Sequence, residues 1–273
     1  MFELFQYNFI TNALISGTIL AVVTGVLSFF IVLKGMSYFS VGISHISFAG
    51  VSLGLLIGIN PIIAALLFTV LASAGIASIT KNKTISEDSA IGIFFSTSMA
   101  LGIIFISLIK TYTVDPINYL FGDILGISKT DIYFIAILSS ILLLAIYFIF
   151  KYLLLYIFDE EFARVNGIPV NFLHYFLMIS MAVVIVLSIK AIGIVLISAL
   201  LVIPANSAYL ISKSYRKMLS LTIFFSLFSV YSGIYFSYSL DIPSGASIVV
   251  INALIFLVIY IYRNYLKSLQ NDS

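Results

Sequence analysis

Cysteine is absent from all 273 residues, which removes disulfides, thiolate metal sites and cysteine nucleophiles at once. Charge is nearly as scarce. Only 9% of residues are Asp, Glu, Lys or Arg against 62% hydrophobic, and the mean hydropathy of +1.20 lies far outside the range of a soluble domain. The net charge of +2 and the lack of a basic tract that could track phosphates exclude a nucleic-acid partner. No G-x-x-x-x-G-K-[ST] occurs, so the chain cannot itself cradle a nucleotide in the P-loop manner. No Asp or Glu lies well inside an apolar run, which counts against an ion-coupled secondary transporter. Nor does a paired acid and base sit at membrane depth, as a membrane-embedded enzyme would need. No soluble domain or long linker interrupts the chain, and 1–273 reads as a single transmembrane domain.

What is present is a series of apolar runs, at 10–33, 38–59, 62–79, 89–109, 132–156, 172–189, 192–211, 218–240 and 246–262. Such runs are too long and too unalternating for barrel strands, and a spanning segment must satisfy its own backbone hydrogen bonds, so they predict helices. The fold class is an all-α integral membrane protein, a bundle of eight or nine transmembrane helices. The eight-span alternative arises because Asn60-Pro61 is a tight connection and Lys190 separates two shortish runs. Residues 1–12 carry no Lys or Arg and lead into a full-length run, so the first span is expected to be retained rather than cleaved as a signal peptide. With nine spans and the N-terminus outside, Lys34, Lys81, Lys83, Lys151, Arg164, Lys213, Arg216, Lys217, Arg263 and Lys267 fall on the cytoplasmic side. Only Lys110, Lys129 and Lys190 are then left outside. The C-terminus is cytoplasmic, and Asp115, Asp123, Asp131 and Asp241 lie at the outer mouth, where carboxylates would raise the local cation concentration.

Between two apolar runs lies Phe158-Asp-Glu-Glu-Phe-Ala-Arg-Val-Asn-Gly-Ile-Pro169. Asp159, Glu160 and Glu161 suit a helix N-terminus, Gly167 can take a left-handed stop, and Pro169 forbids continuation. Phe158, Phe162 and Val165 share one stripe of the resulting short cytoplasmic helix. Such a face serves either to dock a partner protein or to rest on lipid headgroups.

His45 is the one histidine inside an apolar run, ~12 Å from the inner end of its helix at 1.5 Å per residue. A group at that depth either faces a pathway or bonds to a neighbouring helix, and neutral imidazole ligates late divalent metals. Ser37, Ser40, Ser44, Ser47 and Ser52 add hydroxyls to the same helix, and Gly50, Gly54 and Gly58 give it G-x-x-x-G steps that favour tight packing. Pro204, late in the seventh run, implies a kink or a broken helix lining a path. His174 reads as an interfacial residue beside the cytoplasmic loop.

Taken in order, Gly35-Met-Ser-Tyr-Phe39 with Ser44-His45 and Gly50, Tyr119-Leu-Phe-Gly-Asp-Ile-Leu125, Asp159-Glu-Glu-Phe-Ala163 with Gly167, Ser198-Ala-Leu-Leu-Val-Ile-Pro-Ala205, and Asp241-Ile-Pro-Ser-Gly-Ala246 resemble the membrane permease of bacterial zinc, manganese and iron ABC importers. The resemblance covers nearly the whole chain. It implies a permease homodimer in the cytoplasmic (inner) membrane, without catalytic activity or a bound cofactor of its own. It also implies ATP hydrolysis on two cytoplasmic subunits seated on Asp159, Glu160, Glu161, Phe162, Ala163 and Gly167, and an external metal-binding protein that delivers the ion. His45 becomes a metal-handling residue of the pathway, and Asp123 and Asp241 belong to the outer mouth. Family members commonly carry an aspartate four residues before this histidine; here the position is Val41, with Ser40, Ser44 and backbone carbonyls as the candidate replacements. A permease for a metal chelate, such as a siderophore or corrinoid, is the nearest rival.

Overall fold

The computed structural model describes residues 8–81, 84–109, 122 and 124–271. Its helices are α1 (Asn8–Lys34), α2 (Ser37–Ile57), α3 (Pro61–Thr80), α4 (Glu87–Ser107), α5 (Lys129–Phe158), α6 (Glu160–Val165), α7 (Val170–Ile192), α8 (Ile194–Ile211), α9 (Tyr215–Leu240) and α10 (Ser244–Asn271), with a single 3₁₀ turn at Ile124–Gly126. Among the described residues eight helices are long and apolar enough to cross a membrane, and α8 is the shorter exception.

Several helices begin where the sequence supplies a capping side chain. Asn60 accepts hydrogen bonds from Ile62 N and Ile63 N with Pro61 in the first turn, so the tight Asn60-Pro61 connection separates two helices. Ser86 and Ser214 cap α4 and α9, and Ser128 with Asp131 forms a capping box at α5. Between these caps the helices are apolar nearly all round, as hydrocarbon requires.

Contacts between helix ends sort the bundle into two ends. At one, Lys34 closing α1 pairs with Glu160 of α6, and Thr80 closing α3 meets His174 near the start of α7. At the other, Asn12 in the first turns of α1 donates to Ile127 O, Asp131 of α5 pairs with Lys190 of α7, and Ile124 N donates to Ser244 Oγ of α10. Gly17 lies against Val230 and Ile234 and Gly25 against Ile223, so α1 and α9 run antiparallel and α9 starts at the Lys34 end. The chain turns into α8 through Gly193, just past Lys190, and α8 ends four residues before α9 begins. α8 therefore also runs from one end of the bundle to the other. Pro204 lies inside it and the helix continues through without a break, so the broken-helix expectation does not hold. The cost of the missing N–H is absorbed within a helix whose flanking residues Leu200, Leu201, Ala205 and Ala208 are fully buried.

α1, α2 and α7 are mostly buried, whereas α4 and α5 leave most of their apolar surface open. α1, α8, α9 and α10 pack together, and α2 is flanked by α3 and α4. At 30 residues α5 is ~45 Å long, well beyond a ~30 Å hydrocarbon layer, so it carries the chain clear of the membrane before α6.

Candidate coupling and translocation sites

α5 ends because Asp159 takes an extended conformation (φ −151°, ψ 94°), from which its Oδ1 accepts a hydrogen bond from Phe162 N at 2.8 Å and starts α6. α6 stops at once. Gly167 adopts φ 74°, and Gly167 N and Ile168 N bond back to Arg164 O and Ala163 O at 3.1 and 3.0 Å. The helix has six residues, shorter than the segment at 158–169 suggests, and Phe158 is the last residue of α5. Ala163 is fully buried while Phe158, Phe162 and Val165 are 64%, 53% and 87% exposed. Phe162 and Val165 of α6 thus present apolar side chains beyond the last residue of the α5 span, next to Phe158 at its end.

The acids of this segment divide. Glu161 is exposed. Glu160 turns inward, 3.2 Å from Lys34 Nζ and 3.4 Å from Arg164 Nη2. Lys34 in turn sits over the ring of Tyr156, 3.9 Å from its centroid. The Tyr156 hydroxyl lies 2.9 Å from His174 Nδ1, and His174 Nε2 lies 3.1 Å from Thr80 Oγ1. Thr80 gives its hydroxyl proton to Ile76 O at 2.9 Å, so its oxygen accepts from His174 Nε2–H, and Nδ1 accepts from the Tyr156 hydroxyl. His174 is only 7% exposed. It is thus packed inside the bundle, in the first turns of α7. Its partners lie 18 and 94 residues away, and a lone histidine one turn into an apolar helix carries no sign of them.

His45 occupies the side of α2 on which Tyr38 is 51% exposed and Val41 is half-buried. Its ring meets Phe95 of α4 edge-on at 5.2 Å. Ser40 and Ser44 are buried and give their hydroxyl protons to Ser37 O and Ser40 O, bonds spent within α2. Among the described residues no three of His, Asp and Glu converge where a metal ion could sit. His45 thus stands half-buried and, among the described residues, outside any cluster of three or more acids and histidines. The first G-x-x-x-G step packs, since a Cβ on Gly50 would stand 2.6 Å from Ala65 Cα and one on Gly54 2.8 Å from Pro61 Cα, so α3 fixes the wall that carries His45. Gly58 instead closes α2 at φ 75° with nothing packed against it.

At the Lys190 end the segments 119–125 and 241–246 meet each other and the α7–α8 turn. Gly122 lies so close to the α7–α8 turn that a Cβ there would stand 2.3 Å from Gly193 N, and Ile124 N bonds Ser244 Oγ at 3.3 Å. Asp241 closes α9 in a left-handed conformation and is exposed. Asp115 and Asp123 lie outside the described residues. Asp131 is held 2.6 Å from Lys190 Nζ and serves the α5 cap as well.

A polytopic helical bundle without a nucleotide-binding motif, bearing one short projecting helix, is the architecture of a transporter's membrane subunit. The chain belongs to the ABC 3 transport family, whose model matches residues 6–263. It is 41% identical to the manganese import system permease protein ScaB of Streptococcus gordonii over 97% of this chain and 96% of that one. It is 32% identical to the high-affinity zinc uptake system membrane protein ZnuB of Haemophilus influenzae, over 93% and 97%. Among solved structures it resembles PsaBC from Streptococcus pneumoniae in complex with Fab, with a TM-score of 0.83, 38% identity, and coverage of 94% and 92%. The chain is thus an ABC transporter permease, a multi-pass protein of the cytoplasmic membrane.

Proposed function

We propose that the whole chain, 1–273, acts as one permease domain that moves a divalent transition metal (zinc, manganese or iron) into the cell, driven by ATP hydrolysed on separate cytoplasmic subunits. The observation that carries this reading is the projecting α6, with Phe158, Phe162 and Val165 exposed around a buried Ala163. Full-length similarity to permeases named for manganese and zinc import supports the cargo class. The N-terminus lies outside and the C-terminus inside, which puts α6 in the cytoplasm together with Lys34, Arg164, Arg216 and Lys217. ATP-binding subunits seat on Asp159, Glu161 and Phe162, with the buried Ala163 anchoring the turn beneath them and Gly167 holding the stop that shapes the seat.

His45 handles the ion on its way through, and the open face around it meets the same face of a second copy. That pairing supplies co-ligands, since among the described residues of one chain no cluster of three acids and histidines forms. An external metal-binding protein docks at the Lys190 end, where Asp123 and Asp241 draw cations to the mouth. The ion is cargo: the chain contributes no bond-making step and no resident cofactor.

The test is ATP-driven metal uptake in vesicles holding the complete importer. Phe162→Asp and Glu161→Lys are expected to abolish uptake by releasing the ATP-binding subunits, and His45→Ala to abolish it with those subunits still bound. Native uptake by all three variants would refute the assignment. Carriage of a siderophore or corrinoid in preference to free metal would favour the chelate reading.

A further inference from the structure

Resting on the coupling role of α6, we propose that Lys34, Tyr156, His174 and Thr80 form a transmission node, positioning residues through which a push on α6 moves α1, α3, α5 and α7 as one body. Each contact in the node joins a different pair of elements. Glu160 to Lys34 links α6 to α1, Lys34 to Tyr156 links α1 to α5, Tyr156 to His174 links α5 to α7, and His174 to Thr80 links α7 to α3. α6 itself packs mainly against α5 and α7, so the Lys34–Glu160 pair is its reach to α1.

Burial makes the links stiff. Tyr156 is 1% exposed, Thr80 5% and His174 7%, so moving any one helix away would break a buried hydrogen bond. Both ring nitrogens of His174 are engaged, and the single hydroxyl protons of Tyr156 and Thr80 run in one direction along the chain of bonds. The imidazole therefore has one arrangement rather than several. α4 is left out: a cavity of about 130 Å³ lies between the node and the start of α4, lined by Glu160, Tyr156 and His174 on one side and by Ser86 and Glu87 on the other. The start of α4 thus faces the node across this cavity, whereas α2, which carries His45, is packed on α3 and moves with the node.

The experiment uses the complete importer in vesicles, with ATP hydrolysis and metal uptake measured on the same sample. Tyr156→Phe keeps the ring beneath Lys34 and removes one hydroxyl; Thr80→Val removes another; His174→Phe removes both bonds; His174→Gln can donate and accept. The expected result is native ATP hydrolysis with uptake per ATP lowered on the order of tenfold, the size of an ordinary coupling between sites, in Tyr156→Phe and His174→Phe. His174→Gln should recover most of it. Because the chain lacks cysteine, spin labels can be placed cleanly at Asn166→Cys with Lys81→Cys, and at Asn166→Cys with Asp88→Cys. The first distance should hold through the ATP cycle and the second should change.

Native uptake per ATP in both Tyr156→Phe and Thr80→Val would overturn the node, as would equal damage in His174→Phe and His174→Gln or a first label distance that shifts with ATP. If His174→Phe fails to assemble, the two hydroxyl deletions decide. Phe162→Asp separates the two claims: if it stops uptake while the node variants behave as native, only the node falls, and if it leaves uptake intact the coupling role of α6 falls first.

Discussion

Replacing Gly50 by Ala adds one methyl group at the closest approach of α2 and α3. The new Cβ would stand 2.6 Å from Ala65 Cα, 3.0 Å from Phe68 Cβ and 3.3 Å from Ala64 O, where ordinary contact begins at 3.4 Å. Two of these neighbours are backbone, so the helices must part by about 1 Å along a shared interface. Overpacking of this kind costs about 1–3 kcal/mol, and the rigid neighbours place this site near the upper figure. Exchanging Gly for Ala within a helix also returns up to about 1 kcal/mol of propensity, which would blur the result. Gly92 of α4 supplies the control: it is helical, and a Cβ there meets nothing within 4 Å. Its Ala variant gains the propensity alone. The difference between the two variants isolates the steric cost, about 3 kcal/mol, and with about 2–4 °C per kcal/mol for a chain of this size Gly50→Ala should melt about 6–12 °C below Gly92→Ala. Thermal unfolding of the purified protein in detergent reads this directly. Equal midpoints, or a higher one for Gly50→Ala, would refute the claim that these glycines exist for close packing.

Asp131→Asn removes the 2.6 Å pair with Lys190 and weakens the α5 capping box; a loss of about 1–2 kcal/mol is expected, and added salt should narrow the gap between native and variant by screening the native pair. Gly193→Ala places a side chain at φ 89°, ψ 157°, a region reserved for glycine, and should cost about 1–3 kcal/mol in the same unfolding assay. Val41→Asp puts a hard oxygen donor one turn from His45 on the half-open side of α2. Competitive uptake of manganese against zinc should shift toward manganese, and an unchanged ratio would show that His45 and position 41 do not share an ion.

Much of the coupling segment could be read from order along the chain. Asp159 as a cap, Gly167 as a stop and the exposed Phe158, Phe162 and Val165 are all local, each set by residues a few positions apart. The same holds for the caps at Asn60, Ser86, Ser128 and Ser214, which mark the helix starts. The division between Glu160 and Glu161 was hidden, because the partner that draws Glu160 inward lies 126 residues earlier, at Lys34. His174 was hidden for the same reason. Nor does a proline in an apolar run announce whether the helix breaks; α8 continues through Pro204, with Leu201, Ala205 and Ala208 beside it fully buried.

By itself the sequence determined that the chain lives in a membrane, where its helices begin and end, that it holds no P-loop, and that one amphipathic turn projects from the bundle. Each of these follows from sums or spacings over neighbouring residues, and transfer of some twenty apolar side chains into hydrocarbon outweighs any single contact. Only the tertiary structure decided which helices touch, that α8 returns from one end of the bundle to the other, and that His45 stands on an open face while His174 is locked between three helices. Helices apolar on every side carry no moment to aim them, so their facing is set by close approach at glycines and by a few polar pairs between residues far apart in the chain.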